Sequence, residues 1–287
     1  MNSNLSGTGS PFDATILPAS LSAGIVGHNG GEDMMARLER DGVGIHYEVH
    51  GSGPAVLLSH GYSATCRMWD GQVAALRDRW RVIVWDMRGH GQSDSPEDQA
   101  LYSEAHSVAD MAAILRACGE NAAVIGGLSL GGVVSMAFHL HHKAMTRALM
   151  LFDTGPGFRN EQARAAWNTR AMDRADTLEA RGVAALGGRA EVRANEHCGA
   201  AGLARAARGM LSSHGDHLIR SLPTIAVPTL VMVGSEDTNF LAATDYMAAK
   251  IPNATKVVID GAGHAANLDA PAPFNRAVEA FLTGLAA

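Results

Sequence analysis

Residues 124–134, VIGGLSLGGVV, place one serine among four glycines, directly after a run of apolar residues. The apolar run at 122–126 is typical of a buried strand, and residues 130–142 have the composition of a helix. A strand that turns sharply into a helix through Gly-X-Ser-X-Gly is the setting of a nucleophile elbow, which lifts the serine hydroxyl off the sheet. The stretch predicts Ser129 as a nucleophile, and a glycine-rich turn without chemistry is the alternative.

Short apolar segments recur on both sides of this stretch, separated by segments with helical spacing. The predicted strands are residues 55–59, 81–86, 122–126, 148–153, 229–234 and 256–259. Strands that alternate with helices predict an α/β fold with a mostly parallel, doubly wound sheet. Residues 38–54 are typical of an antiparallel hairpin that turns at Asp41-Gly42.

Changes in composition divide the chain into a tail, a core and an insertion. Residues 1–33 are rich in Gly and Ser and contain no Lys or Arg, which predicts a flexible tail rather than a secretory signal. An arm packed on the domain is the alternative. The strand signal vanishes at 154–227, where Ala- and Arg-rich segments predict helices. We expect a core of residues 34–153 and 228–287, with a helical cap at 154–227 over the carboxyl edge of the sheet.

A nucleophilic serine needs a base and a group that orients this base. Asp237 follows the predicted strand 229–234, and His264 follows the strand 256–259 in a glycine-containing loop. Both side chains are thereby placed at the sheet edge where Ser129 lies, which predicts a triad of Ser129, Asp237 and His264. Asp153, at the end of the strand before the insertion, is the alternative acid.

The chemistry also requires hydrogen-bond donors for the developing oxyanion. The backbone N–H of Leu130, directly after the serine, is one predicted donor. The second is the N–H of Tyr62, in the loop after strand 55–59, where Gly61 lets the backbone approach a ligand. The insertion supplies four candidate pocket residues, each of which has core packing as its alternative role: Trp167, Met172, Met210 and Leu211.

Five segments resemble the consecutive signatures of the α/β-hydrolase superfamily in its capped branch. They are HGYSATCRMW (60–69), DMRGHGQSDSP (86–96), GGLSLGG (126–132), VGSEDTNF (233–240) and GAGHAANLDAP (261–271). The resemblance implies acyl transfer by serine without a metal or an organic cofactor. Serine at position 129 differs from the aspartate of epoxide hydrolases and haloalkane dehalogenases, which disfavours their alkyl-enzyme chemistry. In this superfamily the segment 86–94 is usually a structural loop, so Asp86 and His90 are not predicted to be catalytic.

Composition argues against several other classes of protein. Of the 287 residues, 47% are hydrophobic and 18% charged, which predicts a mostly globular chain. The net charge of −6, with scattered basic residues, argues against a nucleic-acid partner. The chain has no apolar run of about 18 residues, so no membrane span is expected. Three widely spaced cysteines predict reduced thiols in a cytoplasmic protein. No metal site is predicted at the histidine cluster of 139–142, which lacks acidic or cysteine partners.

The function predicted from these features is hydrolysis of a small to medium carboxylic ester through an acyl-enzyme on Ser129. The same triad is compatible with opening of a lactone or enol-lactone, or with hydrolysis of a carbon–carbon bond. A ligand receptor with the hydrolase fold and vestigial turnover is a third possibility. The predicted partner is in each case a small molecule.

Overall fold

The computed structural model describes residues 23–25, 33–188, 191–192 and 196–285. Its strands are β1 (Ala23–Ile25), β2 (Asp33–Arg40), β3 (Val43–His50), β4 (Ala55–Ser59), β5 (Arg81–Trp85), β6 (Ala123–Leu128), β7 (Thr146–Phe152), β8 (Thr229–Gly234) and β9 (Ala254–Ile259). Its α-helices are α1 (Asp70–Leu76), α2 (Glu104–Ala117), α3 (Leu130–His141), α4 (Glu161–Arg181), α5 (Ala200–Ala206), α6 (His217–Ser221), α7 (Leu241–Lys250), α8 (Ala266–Asp269) and α9 (Pro271–Gly284).

Within the described residues the strands form one sheet, in the order β1-β2-β3-β5-β4-β6-β7-β8-β9. β1, β2 and β3 pair antiparallel, and β3 is antiparallel to β5. The six strands from β5 to β9 in this order run parallel. The predicted α/β class and mostly parallel sheet are therefore confirmed.

The central strands are buried on both faces, as the apolar segments of the sequence predict. Alternate residues of β4 point to opposite sides: Leu57 packs in the core that includes Phe138 of α3, and Val56 in the core that includes Phe274 of α9. All five residues of β4 and all six of β6 are buried. Helices thus cover both faces, which leaves the carboxyl edge of the strands as the place where polar side chains can gather.

The first strand lies inside the segment predicted as a flexible tail. Ala23–Ile25 pairs antiparallel with β2, with Ala23 opposite Leu38. This short piece belongs to the edge of the sheet, because the free backbone groups of β2 accept another strand. The rest of the predicted tail, residues 1–22 and 26–32, lies outside the described residues.

The insertion, residues 154–227, joins β7 to β8 and contains α4, α5 and α6. α4 is capped at its N-terminus by Asn160, whose side chain accepts a hydrogen bond from the N–H of Ala163 at 2.9 Å. At its C-terminus it is capped by Gly182, where φ is +70°. A narrow stripe of α4 is buried: Ala171, Ala175 and Leu178. None of the described helices is both long enough and apolar enough to cross a bilayer.

Polar contacts connect the insertion to the loop after β4, among them a hydrogen bond from the Thr65 hydroxyl to Glu196. The Tyr62 hydroxyl donates to the carbonyl of Leu203 in α5 at 2.8 Å. The His197 ring contacts Ser63 O at 3.1 Å through Nε2, and its Nδ1 accepts the N–H of Gly91 at 3.1 Å. The insertion is thus attached to the core by hydrogen bonds as well as by apolar packing.

Candidate active site

Ser129 occupies a strained turn between β6 and α3. Its φ of +55° and ψ of −115° are rare for a residue with a side chain. The turn is held by a hydrogen bond from Ser129 N to Phe152 O at 2.9 Å. It also requires glycine at 131, because a Cβ there would collide with the carbonyl of Ser59 in β4. This is the strand–turn–helix arrangement that the sequence predicts for a nucleophile elbow.

Asp237 and His264 form a hydrogen-bonded pair beside this turn. Nδ1 of His264 lies 2.7 Å from Oδ2 of Asp237, a residue that is 5% exposed. The imidazole also stacks on Phe240, with 5.1 Å between ring centroids and 23° between planes. Burial lowers the pKa of His264, but the hydrogen bond and charge of Asp237, together with the charges of Asp153 and Glu191, raise this pKa above its ordinary value.

One cavity joins these groups. It has a volume of about 1140 Å³, and its walls include Ser129, Asp237 and His264. The three residues come from loops after β6, β8 and β9, so the parallel strands deliver them to the same edge of the sheet. The structure thus brings together the three side chains that the sequence predicts as a triad.

Asp153, the alternative acid, has a different environment. It is fully buried at the end of β7, with φ of +46°, and its Oδ1 accepts the N–H of Gly234 at 2.8 Å. Its Oδ2 has no partner among the described residues, and burial raises the pKa of Asp153 to about 7. The imidazole of His264 hydrogen-bonds to Asp237, and within the described residues it makes no hydrogen bond to Asp153.

The two predicted oxyanion donors lie on the wall of the same cavity. Leu130 is the first residue of α3, and Tyr62 lies in the loop after β4. Neither backbone N–H donates a hydrogen bond within the part of the chain that the structure describes. The loop packs closely on the turn, since a Cβ at Gly61 would lie 3.6 Å from the Cβ of Ser129.

Three of the four predicted pocket residues line the cavity: Trp167, Met210 and Leu211. The Trp167 indole donates to the carbonyl of Leu211 at 2.8 Å, which fixes one edge of its ring. Met172 was predicted wrongly. Its side chain is 37% exposed and does not line the cavity, whereas the flanking Ala171 and Asp173 do.

Comparison with known proteins identifies the family of this chain. Residues 56–277 match the α/β hydrolase family. The chain belongs to this family. The match begins in β4 and ends within α9, so it includes the elbow, both members of the hydrogen-bonded pair and the insertion.

Three similar proteins are 26–27% identical to this α/β hydrolase. A 3-oxoadipate enol-lactonase of Acinetobacter baylyi is 27% identical over 86% of this chain and 96% of its own length. The structure of an enol-lactonase from Burkholderia xenovorans is 26% identical, with a TM-score of 0.69 over 85% of this chain and 98% of its own. A thermophilic esterase from Thermogutta terrifontis is 27% identical, with a TM-score of 0.74 over 88% and 99%.

The cavity of this α/β hydrolase also contains polar residues that the sequence reasoning did not single out. They are Glu104, Arg170, Asp173, Arg174, Glu191 and His217. A signal existed for the two arginines, because they are four residues apart in a segment predicted to be helical and therefore share a face. The sequence did not indicate which face of α4 turns toward the sheet.

Three buried side chains elsewhere offer potential metal ligands. Atoms of His46, Cys66 and Asp86 all lie within 4.8 Å of one another. Both oxygens of Asp86 already accept backbone N–H groups, from Cys66 at 2.7 Å and from Gln92 at 2.8 Å. Burial raises the pKa of the Cys66 thiol far above its ordinary value, so the thiolate that metals prefer is disfavoured. This cluster supports the loop after β5 by hydrogen bonding.

Proposed function

We propose that this α/β hydrolase cleaves small to medium carboxylic esters through an acyl-enzyme on Ser129. The observation that carries the proposal is that the strained Ser129 shares a cavity with the His264–Asp237 pair, whose Nδ1–Oδ2 distance is 2.7 Å. A serine hydroxyl gains nucleophilicity only when a base accepts its proton and a third group orients this base. The arrangement of these three residues supports those roles.

Acylation follows from the hydrogen-bonding capacity of each group. An ionised Asp237 can only accept, so Nδ1 of His264 carries the proton and Nε2 keeps its lone pair. Nε2 takes the proton of Ser129 as Oγ attacks the ester carbonyl. The carbonyl oxygen becomes an oxyanion and accepts hydrogen bonds from the N–H groups of Tyr62 and Leu130. The C–O bond to the alcohol then breaks, and His264 returns the proton to the leaving oxygen.

Deacylation repeats these roles with water as the nucleophile. His264 takes a proton from water, the hydroxide adds to the acyl carbon, and the same amides stabilise the second oxyanion. Collapse breaks the bond to Oγ of Ser129, which recovers the proton from His264. The products are a carboxylic acid and an alcohol.

The insertion has the role of a cap in this proposal. Trp167, Met210 and Leu211 reach the cavity from the insertion, whereas the reacting groups come from the sheet edge. The acyl and alcohol preferences would then depend on the insertion. The three cysteines that the structure describes are free, which supports the proposed cytoplasmic location.

A lactone is a second candidate substrate. Two of the similar proteins are named as enol-lactonases, one of them similar over 86% of this chain. A lactone is a cyclic ester, so its opening uses the same attack, the same oxyanion donors and the same proton transfers. The difference is that the leaving alcohol stays attached to the acyl group.

Covalent labelling tests the proposal. An alkyl 4-nitrophenyl phosphonate should modify Ser129, release one equivalent of nitrophenol and leave an adduct that peptide mass spectrometry locates. Ser129→Ala should show no adduct and at least about 10⁴-fold lower ester hydrolysis. Ser213→Ala, which removes another cavity hydroxyl, should still be labelled on Ser129.

One result of the labelling experiment would contradict the proposal. An intact wild-type protein without an adduct on the Ser129 peptide contradicts the nucleophile assignment. Parallel panels of acyclic esters and lactones then separate the two candidate functions, because the preferred class should have the higher kcat/KM by at least about tenfold.

A further inference from the structure

We infer that Arg170 and Arg174 form a carboxylate-binding subsite, so that the ester attacked by Ser129 carries an anionic group. This inference rests on the proposed function and specifies the class of its substrate. It starts from the position of the two arginines in the cavity wall.

Both arginines face the cavity from the same side of α4. Side chains four residues apart on a helix are neighbours, with Cβ atoms about 5–6 Å apart. Arg170 and Arg174 both contribute to the wall that also includes Ser129 and His264. Two adjacent guanidinium groups present several N–H donors toward the space where a substrate would lie.

Two arginines of the insertion have protein counter-ions, and Arg170 and Arg174 differ from these two among the described residues. Arg208 pairs with Asp176 at 2.7 Å and with Glu179 at 2.5 Å, and Arg220 pairs with Asp216 at 2.6 Å. Within residues 33–188, 191–192 and 196–285, neither Arg170 nor Arg174 makes an ion pair. Their charges are therefore available to a ligand.

The position of Arg174 connects this subsite to the oxyanion loop. Its guanidinium carbon lies 5.6 Å from the ring centroid of Tyr62, a cation–π contact. The Tyr62 ring is fixed in turn by the hydrogen bond from its hydroxyl to Leu203 O. A carboxylate held by Arg174 would therefore lie beside the residue whose N–H is the proposed oxyanion donor.

The acidic residues of the cavity favour a singly charged carboxylate over a phosphate. Asp173, Glu236 and Asp269 line the same cavity, and among the described residues Asp173 makes no ion pair with either arginine. Glu104 is bonded to His217 at 2.9 Å and does not compete for the arginines. A dianionic group would be repelled more strongly by these carboxylates, whereas a planar carboxylate fits the guanidinium fork.

The test compares two esters that differ in one charge. The mono-4-nitrophenyl ester of adipic acid is anionic. Methyl 4-nitrophenyl adipate, in which the free carboxyl group is methylated, is neutral and of similar shape. The measured quantity is the ratio of kcat/KM for the anionic ester to that for the neutral ester. We expect a wild-type ratio of at least about 10, and a ratio near 1 for the double variant Arg170→Met/Arg174→Met. Arg170→Lys/Arg174→Lys should give an intermediate ratio, and added salt should lower the wild-type ratio.

Arg181→Met is the matched control, because this residue is an exposed arginine of the same helix that does not line the cavity. It should keep the wild-type ratio. A wild-type ratio of 1 or less, or a high ratio that survives both Met substitutions, overturns the inference while hydrolysis of the neutral ester still supports the proposed function. If neither ester is cleaved and Ser129 takes no phosphonate, both the proposed function and this inference are wrong.

Discussion

The carboxyl edge of the sheet and helix α4 face each other across one cavity, yet they are built differently. At the sheet edge, Ser129 and Asp237 follow fully buried strands, and backbone atoms crowd the turn so closely that position 131 must be glycine. α4 is a long helix of which a stripe of three small or medium residues is buried. The close packing at the sheet edge holds its side chains with the precision that a catalytic site requires.

On the α4 side of the cavity, fewer side chains are held by buried packing. Arg170 and Arg174 are exposed on α4, so exchange of their side chains changes the cavity without disturbing a packed core. Elements with few buried contacts also open locally at a lower free-energy cost than the core does. We therefore expect substitutions at the sheet edge to affect the chemical step or the fold, and substitutions on α4 to affect the choice of substrate.

The largest expected effect separates the two carboxylates of the sheet edge. Asp237→Asn should lower kcat about 10⁴-fold, because an amide can donate to Nδ1 and stabilise the wrong tautomer of His264. Asp153→Asn should lower kcat by less than about tenfold, because its carbonyl oxygen can still accept the N–H of Gly234. Steady-state kinetics on one nitrophenyl ester measures both, and the reverse order would transfer the acid role to Asp153.

The next effect compares two glycines. Gly131→Ala should lower the free energy of unfolding by about 3 kcal/mol or more, because its Cβ would overlap the carbonyl of Ser59. At Gly188 no atom lies within 4 Å of an added Cβ, so Gly188→Ala should change the free energy of unfolding by less than about 0.5 kcal/mol. Urea unfolding at equilibrium gives both values, and equal losses would remove the contrast between edge and insertion.

A smaller effect concerns two residues of α4. Trp167→Ala should raise KM about tenfold for a medium-chain ester, because the side chain lines the cavity and its removal lowers the apolar contact area. Met172→Ala should leave KM within about twofold, since this side chain lies outside the cavity. Equal changes in the two variants would place the substrate elsewhere.

The smallest effect is a shift in pH dependence. His264 must be neutral to accept a proton, and its raised pKa means that kcat/KM should fall as pH decreases through a midpoint above about 6.5. Asp237→Asn removes the hydrogen bond and charge that raise this pKa, so the residual activity should fall at lower pH than in the wild type. Glu179→Gln, on α4 and paired with Arg208, should leave the midpoint unchanged. A midpoint that moves to higher pH in Asp237→Asn would contradict the assignment.

The sequence was most informative where local chemistry determines structure. The predicted strands 55–59 and 229–234 coincide with β4 and β8, because buried parallel strands are short continuous apolar runs. The elbow at Ser129 was recognisable because only glycine fits beside it. The order of the strands along the chain then placed Asp237 and His264 at the same edge.

The insertion was less predictable for a physical reason. Its Ala- and Arg-rich segments have high helix propensity around the whole circumference, so the periodicity of α4 does not determine which side turns inward. For this reason the sequence predicts a cavity position for Met172, which lies outside the cavity, and does not indicate that Arg170 and Arg174 line it. The strand Ala23–Ile25 was missed because it is too short to show alternation and depends on pairing with β2.

The hydrogen bonds of Tyr62 and His197 limit how this enzyme can be recombined with its relatives. The insertion provides the carbonyl of Leu203 and the imidazole of His197, and both hold the loop that runs from Gly61 to Ser63. A chimera that exchanges only residues 154–227 would lose these partners unless the donor insertion restores them at the same positions. Swapping the insertion together with the loop after β4 would preserve the contacts of Tyr62 and Ser63. His197 also accepts the N–H of Gly91, so a unit exchanged to engineer new specificity should include the loop after β5 as well.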